Sequence, residues 1–266
     1  MKERGWDMNR KLFVVFFMAL TASCTVKEDR VECPCEFTLD VSECRITDDV
    51  LSFSLWDGQT RKVNDHFNAD DLGRTYNYQL DRKVFRASAY TGDSNSLHEG
   101  SRLLVKYGMQ ADSLYAWAMD IDARGENANE IVLLHKQFAT ITFDLSEYDS
   151  ADTPLRVCIT SSYGGLDILS LSPVKNDFLY EFTTDGSCLY PVRLTRQGDN
   201  SLVMDIYSGN TPLAKINVGS IIAASGYDWC ATDLSDITVT VTASDAEVWI
   251  EPAPWTEIDT QTVSAS

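Results

Sequence analysis

The chain has 266 residues, with 22 Lys and Arg against 40 Asp and Glu, and a formal net charge of −18 at pH 7. Nucleic-acid binding draws on clustered cations that displace counterions from phosphate, so this balance excludes nucleic acid as a partner. A hydrophobic content of 44% is that of a globular protein and argues against disorder.

The N-terminus carries an apolar run from Leu12 to Leu20, preceded by Asn9-Arg10-Lys11 and followed by Thr21-Ala22-Ser23. Basic, apolar and small segments in that order make a secretory signal, too short to span a bilayer as a helix. Cys24 stands directly after the small residues. This pattern resembles the bacterial lipobox, in which the signal is cut before the cysteine and the thiol carries diacylglycerol. Residues 1–23 are then a lipoprotein signal peptide, with Met8 an alternative start, and residues 24–35 a lipidated tether. An ordinary signal peptide with a disulfide cysteine near the cut is the other reading. Loss of residues 1–23 removes Lys2, Arg4, Arg10 and Lys11 but only Glu3 and Asp7, leaving a net charge of about −20. Such acidity disfavours electrostatic attachment to anionic lipid, so a membrane tether falls to the acyl chains at Cys24.

Seven cysteines are an odd number for an exported chain. Assigning Cys24 to lipid leaves Cys33, Cys35, Cys44, Cys158, Cys188 and Cys230, which export permits to pair without dictating how. Cys33 and Cys35 are too close to pair with each other, and their spacing does not suit structural zinc.

From residue 36 the dominant pattern is alternation. Phe37, Leu39 and Val41 recur at every second position, as do Leu51, Phe53 and Leu55 before a turn at Asp57-Gly58. Asp65 to Leu72 is compatible with a helical turn. Val84–Ala89, Arg102–Tyr107, Leu114–Met119, Ile131–Leu134 and Thr140–Leu145 complete a first group of strands. The polar stretch from Glu147 to Pro154 reads as a linker or a long inter-strand connection. A second group follows at Leu155–Ile159, Phe178–Phe182, Leu189–Leu194, Leu202–Tyr207, Pro212–Val218, Ile237–Val241 and Val248–Ile250, with one helical turn near Ile221–Ser225. Short, turn-punctuated strands predict an all-β chain of two β-sandwich domains, 36–148 and 153–257, with a polar tail over 258–266.

Patterns that carry catalysis are absent. His66, His98 and His135 are far apart in sequence and stand in no metal or nucleophile motif, and there is no nucleophile elbow, P-loop or dinucleotide fingerprint. Ser162-Tyr163-Gly164-Gly165 reads as a turn. Asp120, Asp122, Gly125 and Glu126 alternate as in a calcium loop, but Arg124 and Ile131 occupy positions where oxygen ligands belong, so a solvated loop is expected. No metal, cofactor or catalytic residue is assigned. Trp117, Trp229, Trp249 and Trp255 could form a carbohydrate platform, which makes a surface glycan-binding lipoprotein the rival functional reading.

Two stretches point further. Cys24-Thr25-Val26-Lys27-Glu28-Asp29-Arg30, followed by Cys33-Pro34-Cys35 and an alternating strand, is similar to the mature N-terminus of FimB-like fimbrial anchor subunits of Bacteroidales-type fimbriae. Pro191 to Arg196, Tyr227-Asp228-Trp229, Asp233 to Ile237 and Val248 to Trp255 resemble the same family's C-terminal domain. The resemblance implies transthyretin-like sandwiches, an outer-membrane lipoprotein held by Cys24, and a place at the cell-surface base of a fimbrium. It implies a fimbrial shaft subunit as partner, bound by strand complementation. Lys27, Glu28 and Asp29 resemble a surface-sorting signal for such lipoproteins, or are a solvated tether. The polar tail after Trp255 does not look like a long donor strand. Glu247 to Trp255 is the better candidate if this chain donates one, and the sequence leaves donor or acceptor open.

Overall fold

The computed structural model describes residues 33–44, 50–68, 71, 73–148, 153–241 and 246–250, with 246–249 described as backbone. In chain order the strands are β1 (Cys35–Asp40), β2 (Leu51–Asp57), β3 (Thr60–Phe67), β4 (Thr75–Leu80), β5 (Val84–Thr91), β6 (Leu97–Glu99), β7 (Arg102–Leu104), β8 (Tyr115–Asp122) and β9 (Asn127–Ile131). They continue as β10 (His135–Lys136), β11 (Phe138–Asp144), β12 (Arg156–Asp167), β13 (Ser172–Thr183), β14 (Leu189–Thr195), β15 (Val203–Ser208), β16 (Thr211–Ile216), β17 (Ile237–Val241) and β18 (Ala246–Ile250). One helix, α1 (Val218–Ala224), lies between β16 and β17.

Alternation along β1 and β2 places Phe37, Leu39, Phe53 and Leu55 on facing surfaces, and this is what closes the first sandwich. One layer has the order β4-β1-β9 and the other β10-β8-β5-β2-β3. The second sandwich packs Ile141, Phe143, Val157, Ile159, Leu194 and Val239 between a layer of order β14-β11-β17-β18 and one of order β16-β15-β12-β7-β6, with β13 on the other side of β12. The all-β, two-sandwich expectation is the architecture observed.

Several local expectations are corrected. Asp65 is no helical turn: it sits in β3, paired with Phe53 of β2. The strands β3 and β4 lack apolar runs because each is the edge of its layer, with only Val63 and Phe67, or Tyr76, Tyr78 and Leu80, turned inward. Ser162 to Gly165 is no turn but the bulged middle of β12, where β7 and β13 approach closely. A Cβ on Gly165 would lie 2.7 Å from a Leu104 methyl and 3.0 Å from the Leu103 carbonyl oxygen, so only glycine fits there.

Strand pairing also crosses the expected boundary near residues 148–153. Phe138–Asp144, assigned by sequence to the first sandwich, pairs with β14 and β17 of the second, and β6 and β7 join β12. The polar stretch before Pro154 connects β11 to β12 within the second sandwich. The chain passes from the first sandwich to the second between β5 and β6, returns over residues 105–114, and crosses again at Gln137. Tyr90, Leu103, Leu114, Ala116, Leu166 and Ile168 form a third apolar cluster at this junction, and Arg86 Nε donates to the Leu169 carbonyl at 2.6 Å. Ser52, Ser54 and Ser88 are buried on the same outer face of β2 and β5.

The junction is latched by charge. Lys136 is 3% exposed, and its Nζ donates to Asp236 Oδ1 at 2.6 Å while lying over the Phe138 ring. The same carboxylate oxygen accepts the Thr140 amide at 2.7 Å, and Asp233 accepts from the Lys136 amide and meets His135 Nδ1 at 2.9 Å. Arg196 is equally buried and donates to Gln137 Oε1 and to the Trp229 and Thr232 carbonyls. The irregular segment before β17 is thereby fixed to the strand that both sandwiches share. Removing one partner of a buried pair costs about 3–5 kcal/mol when the remaining charge is stranded. Asp236→Ala strands the fully buried Lys136, whereas Lys136→Ala leaves a carboxylate with access to water. Urea unfolding should therefore show the larger loss for Asp236→Ala.

Candidate functional site

The proposed lipid site Cys24 and the sorting residues Lys27, Glu28 and Asp29 lie outside the described residues, as do Trp255 and the polar tail. The described chain begins at Cys33, whose carbonyl accepts from Arg82 Nε at 2.7 Å, and enters β1 at once. That strand is no edge. It pairs antiparallel with β4 from Cys35 to Asp40 and parallel with β9 from Glu36 to Asp40. Among the described residues no helix is long and apolar enough to cross a membrane.

Sheet edges are the other candidate surface, because an unpaired edge can take a strand from another chain. Among the described residues, three lateral sides of the two sandwiches carry bridging contacts, while β16 and β6 end their layer with no further strand beside them. Between β3 and β4, the Tyr78 hydroxyl donates to Asp65 Oδ2 at 2.7 Å and Phe67 packs on Tyr76. Between β13 and β14, a strap over residues 105–111 bonds both edges, with the Gly108 amide donating to the Leu179 carbonyl and the Ala111 amide to the Arg193 carbonyl, each at 3.0 Å. At the third, α1 sits beside β15 and β18 and buries Val218 and Ile222 in the second core, leaving the outer border of β16 without a second strand. Of the donor candidate from sequence, Glu247 to Trp255, the described part to Ile250 is already paired at home, where β18 runs antiparallel to β17.

The fourth side, between β8 and β9, is open. The strand β10 covers only Tyr115 and Ala116, so among the described residues β8 has no second neighbour from Trp117 to Asp122, and β9 has none beyond β1. Met119 pairs with the buried Ala87 and so faces inward, yet it is 38% exposed. Across the layer, Glu130 is in register with the fully buried Leu39.

Other sequence candidates resolve as structure. Asp122 chelates Arg124 through Nε at 2.8 Å and Nη2 at 2.6 Å, which holds its carboxyl down at about 2, and Asp120 pairs with Arg86. The calcium-like spacing is thus occupied by arginines, and no metal-ligand cluster occurs among the described residues. Of the tryptophans named for the glycan reading, Trp117 is 7% exposed in the first core and the half-buried Trp229 packs edge-on against Tyr227, while the side chains of Trp249 and Trp255 lie outside the described residues. One juxtaposition escaped sequence reading: His66 Nδ1 meets Ser52 Oγ at 3.1 Å through cross-strand pairing. Its Nε2 faces Asn64 rather than a carboxylate, and Ser52 is buried, so the pair braces the sheet face. Among the described residues, Cys33, Cys35, Cys44, Cys158 and Cys230 are free thiols.

The architecture is that of a two-sandwich, all-β protein. No family model matches the sequence, and no curated protein matches it. Among solved structures, the chain is similar to the fimbrial anchor protein Mfa2 of Porphyromonas gingivalis, at 11% identity and a TM-score of 0.56, over 82% of this chain and 97% of that one. It is similar to a protein of the DUF1812 group from Bacteroides thetaiotaomicron, named as a candidate polysaccharide-binding protein, at 13% identity and a TM-score of 0.58, over 84% and 99%. A candidate adhesin of the same organism matches at 12% identity and a TM-score of 0.53, over 84% and 97%. At these identities the likeness is one of fold, and it is the fold that the N-terminal resemblance implied.

Two outcomes follow for the titratable groups. Burial, with smaller contributions from Asp40 and Glu43, pushes the Cys44 thiol up to about 12, and Cys35 is also raised. Only thiolates alkylate readily. Iodoacetamide should therefore modify the exposed Cys33 and Cys230 in the native protein and reach Cys35 and Cys44 only after unfolding, as read by mass spectrometry. Burial also raises the Glu130 carboxyl above its ordinary value. The folded state then holds that proton more tightly than the unfolded chain, so stability falls as pH rises through the interval just above the ordinary glutamate value. Glu130→Gln should remove that decline, seen as a smaller drop in melting temperature between acid and neutral pH.

Proposed function

We propose that this chain is a lipid-anchored fimbrial base subunit, tethered to the outer membrane at the cell surface through Cys24 and bound to the adjacent shaft subunit by strand complementation. Lys27, Glu28 and Asp29 act as the surface-sorting signal. The observation that carries the reading is the placement of β1. From Cys24 to Cys35 the extended chain reaches at most about 40 Å. It then enters a strand held by hydrogen-bonded ladders on both sides, so tension on the tether meets the first core directly. The likeness of fold to an anchor protein over nearly the whole of that chain supports the same reading. With β18 paired at home and the β8 edge open, the acceptor role in strand exchange is favoured over the donor role.

In cells, Cys24→Ala should shed intact filaments into the medium, measured as the ratio of released to cell-bound fimbriae. Filaments that remain on the cells would overturn the proposal.

A further inference from the structure

The open side of the first sandwich has one feature that an apolar groove would not. Its inward-facing rim on the β8 side is Trp117, Met119 and Ile121, of which Met119 alone is substantially exposed. An unbranched thioether at such a place adapts to whatever packs on it. On the β9 side, Ala128 is in register with Phe37 and Glu130 with Leu39, both core residues, so Glu130 lies on the core-facing side of β9, where it is half-buried. No hydrogen bond or ion pair reaches that carboxylate among the described residues, and burial is the one cause acting on it. The other carboxylates near this edge differ: Asp120 and Asp122 both have arginine partners.

We propose that the β8 edge takes a short β-strand, and that Glu130 makes it selective for a strand bearing Lys or Arg at the inward position opposite. The proposal rests on the strand-complementation reading and adds the chemistry of the occupant. Trp117 to Asp122 is room for about six residues, or roughly 20 Å of strand. An added strand would pair with β8 and turn alternate side chains toward Met119 and, across a layer spacing of about 10 Å, toward Glu130. A wholly apolar strand would seal an unpaired carboxylate into the core, which disfavours it. A Lys or Arg at that position spans the gap with its aliphatic stem along the apolar wall and meets the carboxylate with its head. The inward charge therefore guards the edge against indiscriminate pairing and admits a complementary one. The acidic chain as a whole also favours encounter with a basic segment.

The test uses the intact chain and three dye-labelled peptides of about ten residues. Each alternates Val or Ile with Thr, and they differ only in carrying Lys, Leu or Glu at the central inward position. Fluorescence anisotropy should show the Lys peptide binding about tenfold more tightly than the Leu peptide, with the Glu peptide weakest. Glu130→Gln, nearly isosteric, should bring the Lys-to-Leu ratio to about one, and Glu130→Leu should invert it. Hydrogen exchange should show new protection over residues 117–122 with the Lys peptide. Equal affinity of the Lys and Leu peptides for the unmodified protein, no binding of any peptide, or protection confined to other edges would each overturn the proposal. Melting curves check that both variants fold. Because neither lipid nor filament enters this assay, its failure is distinct from a failure of the Cys24→Ala experiment.

Discussion

The buried pair between Lys136 and Asp236 is the constraint on which the rest of the structure depends. The strand from His135 to Asp144 leaves a layer of the first sandwich and enters a layer of the second with only Gln137 between. A strand that changes sheets must find new partners for its main-chain groups within a residue or two. Here the Gln137 amide donates to the Leu114 carbonyl and the Lys136 carbonyl accepts from the Leu234 amide, while the side chains of Asp233 and Asp236 take the Lys136 and Thr140 amides. A lysine buried this deeply is tolerable only with its counter-ion in place. Lys136 and Asp236 therefore fix where β17 begins relative to β11.

Other contacts presuppose that placement. The hairpin between β12 and β13 lies against the outer face of β5 and β8, with Leu166 and Ile168 on Tyr90 and Ala116. The strap over residues 105–111 follows β7 of the second sandwich, closes that sandwich's β13–β14 edge and contributes Val105 and Ala111 to its core before the chain returns to β8 of the first. Both require the sandwiches to meet in one orientation. The side between β8 and β9 has no such cover, and β9 adjoins β1, where the described chain begins.

Part of this was legible in advance. Alternation at Phe37-Leu39 and at Leu51-Phe53-Leu55 predicted strands where β1 and β2 lie, because burial on one face imposes period two on any strand. The same rule overlooked β3 and β4, since edge strands keep polar residues on their exposed sides and along their free borders. It also shortened β12 and β13, because Gly164-Gly165 has the composition of a turn, although here the missing side chains make room for neighbouring strands. The site was legible in fragments. Glu130 carries no motif, and its meaning arises from register with Leu39, a residue about ninety positions earlier.

The sequence by itself determined the class of fold, the acidic surface and the exclusion of nucleic acid, together with the expectation of a lipid tether at Cys24. These follow from composition and local periodicity, which need no knowledge of what lies opposite what. Tertiary structure decided where one sandwich passes into the other, which edges are closed, and that His66, Asp122 and Trp117 serve packing and pairing. Those outcomes depend on contacts between residues distant in the chain, and strand order and register, which set such contacts, leave no local trace.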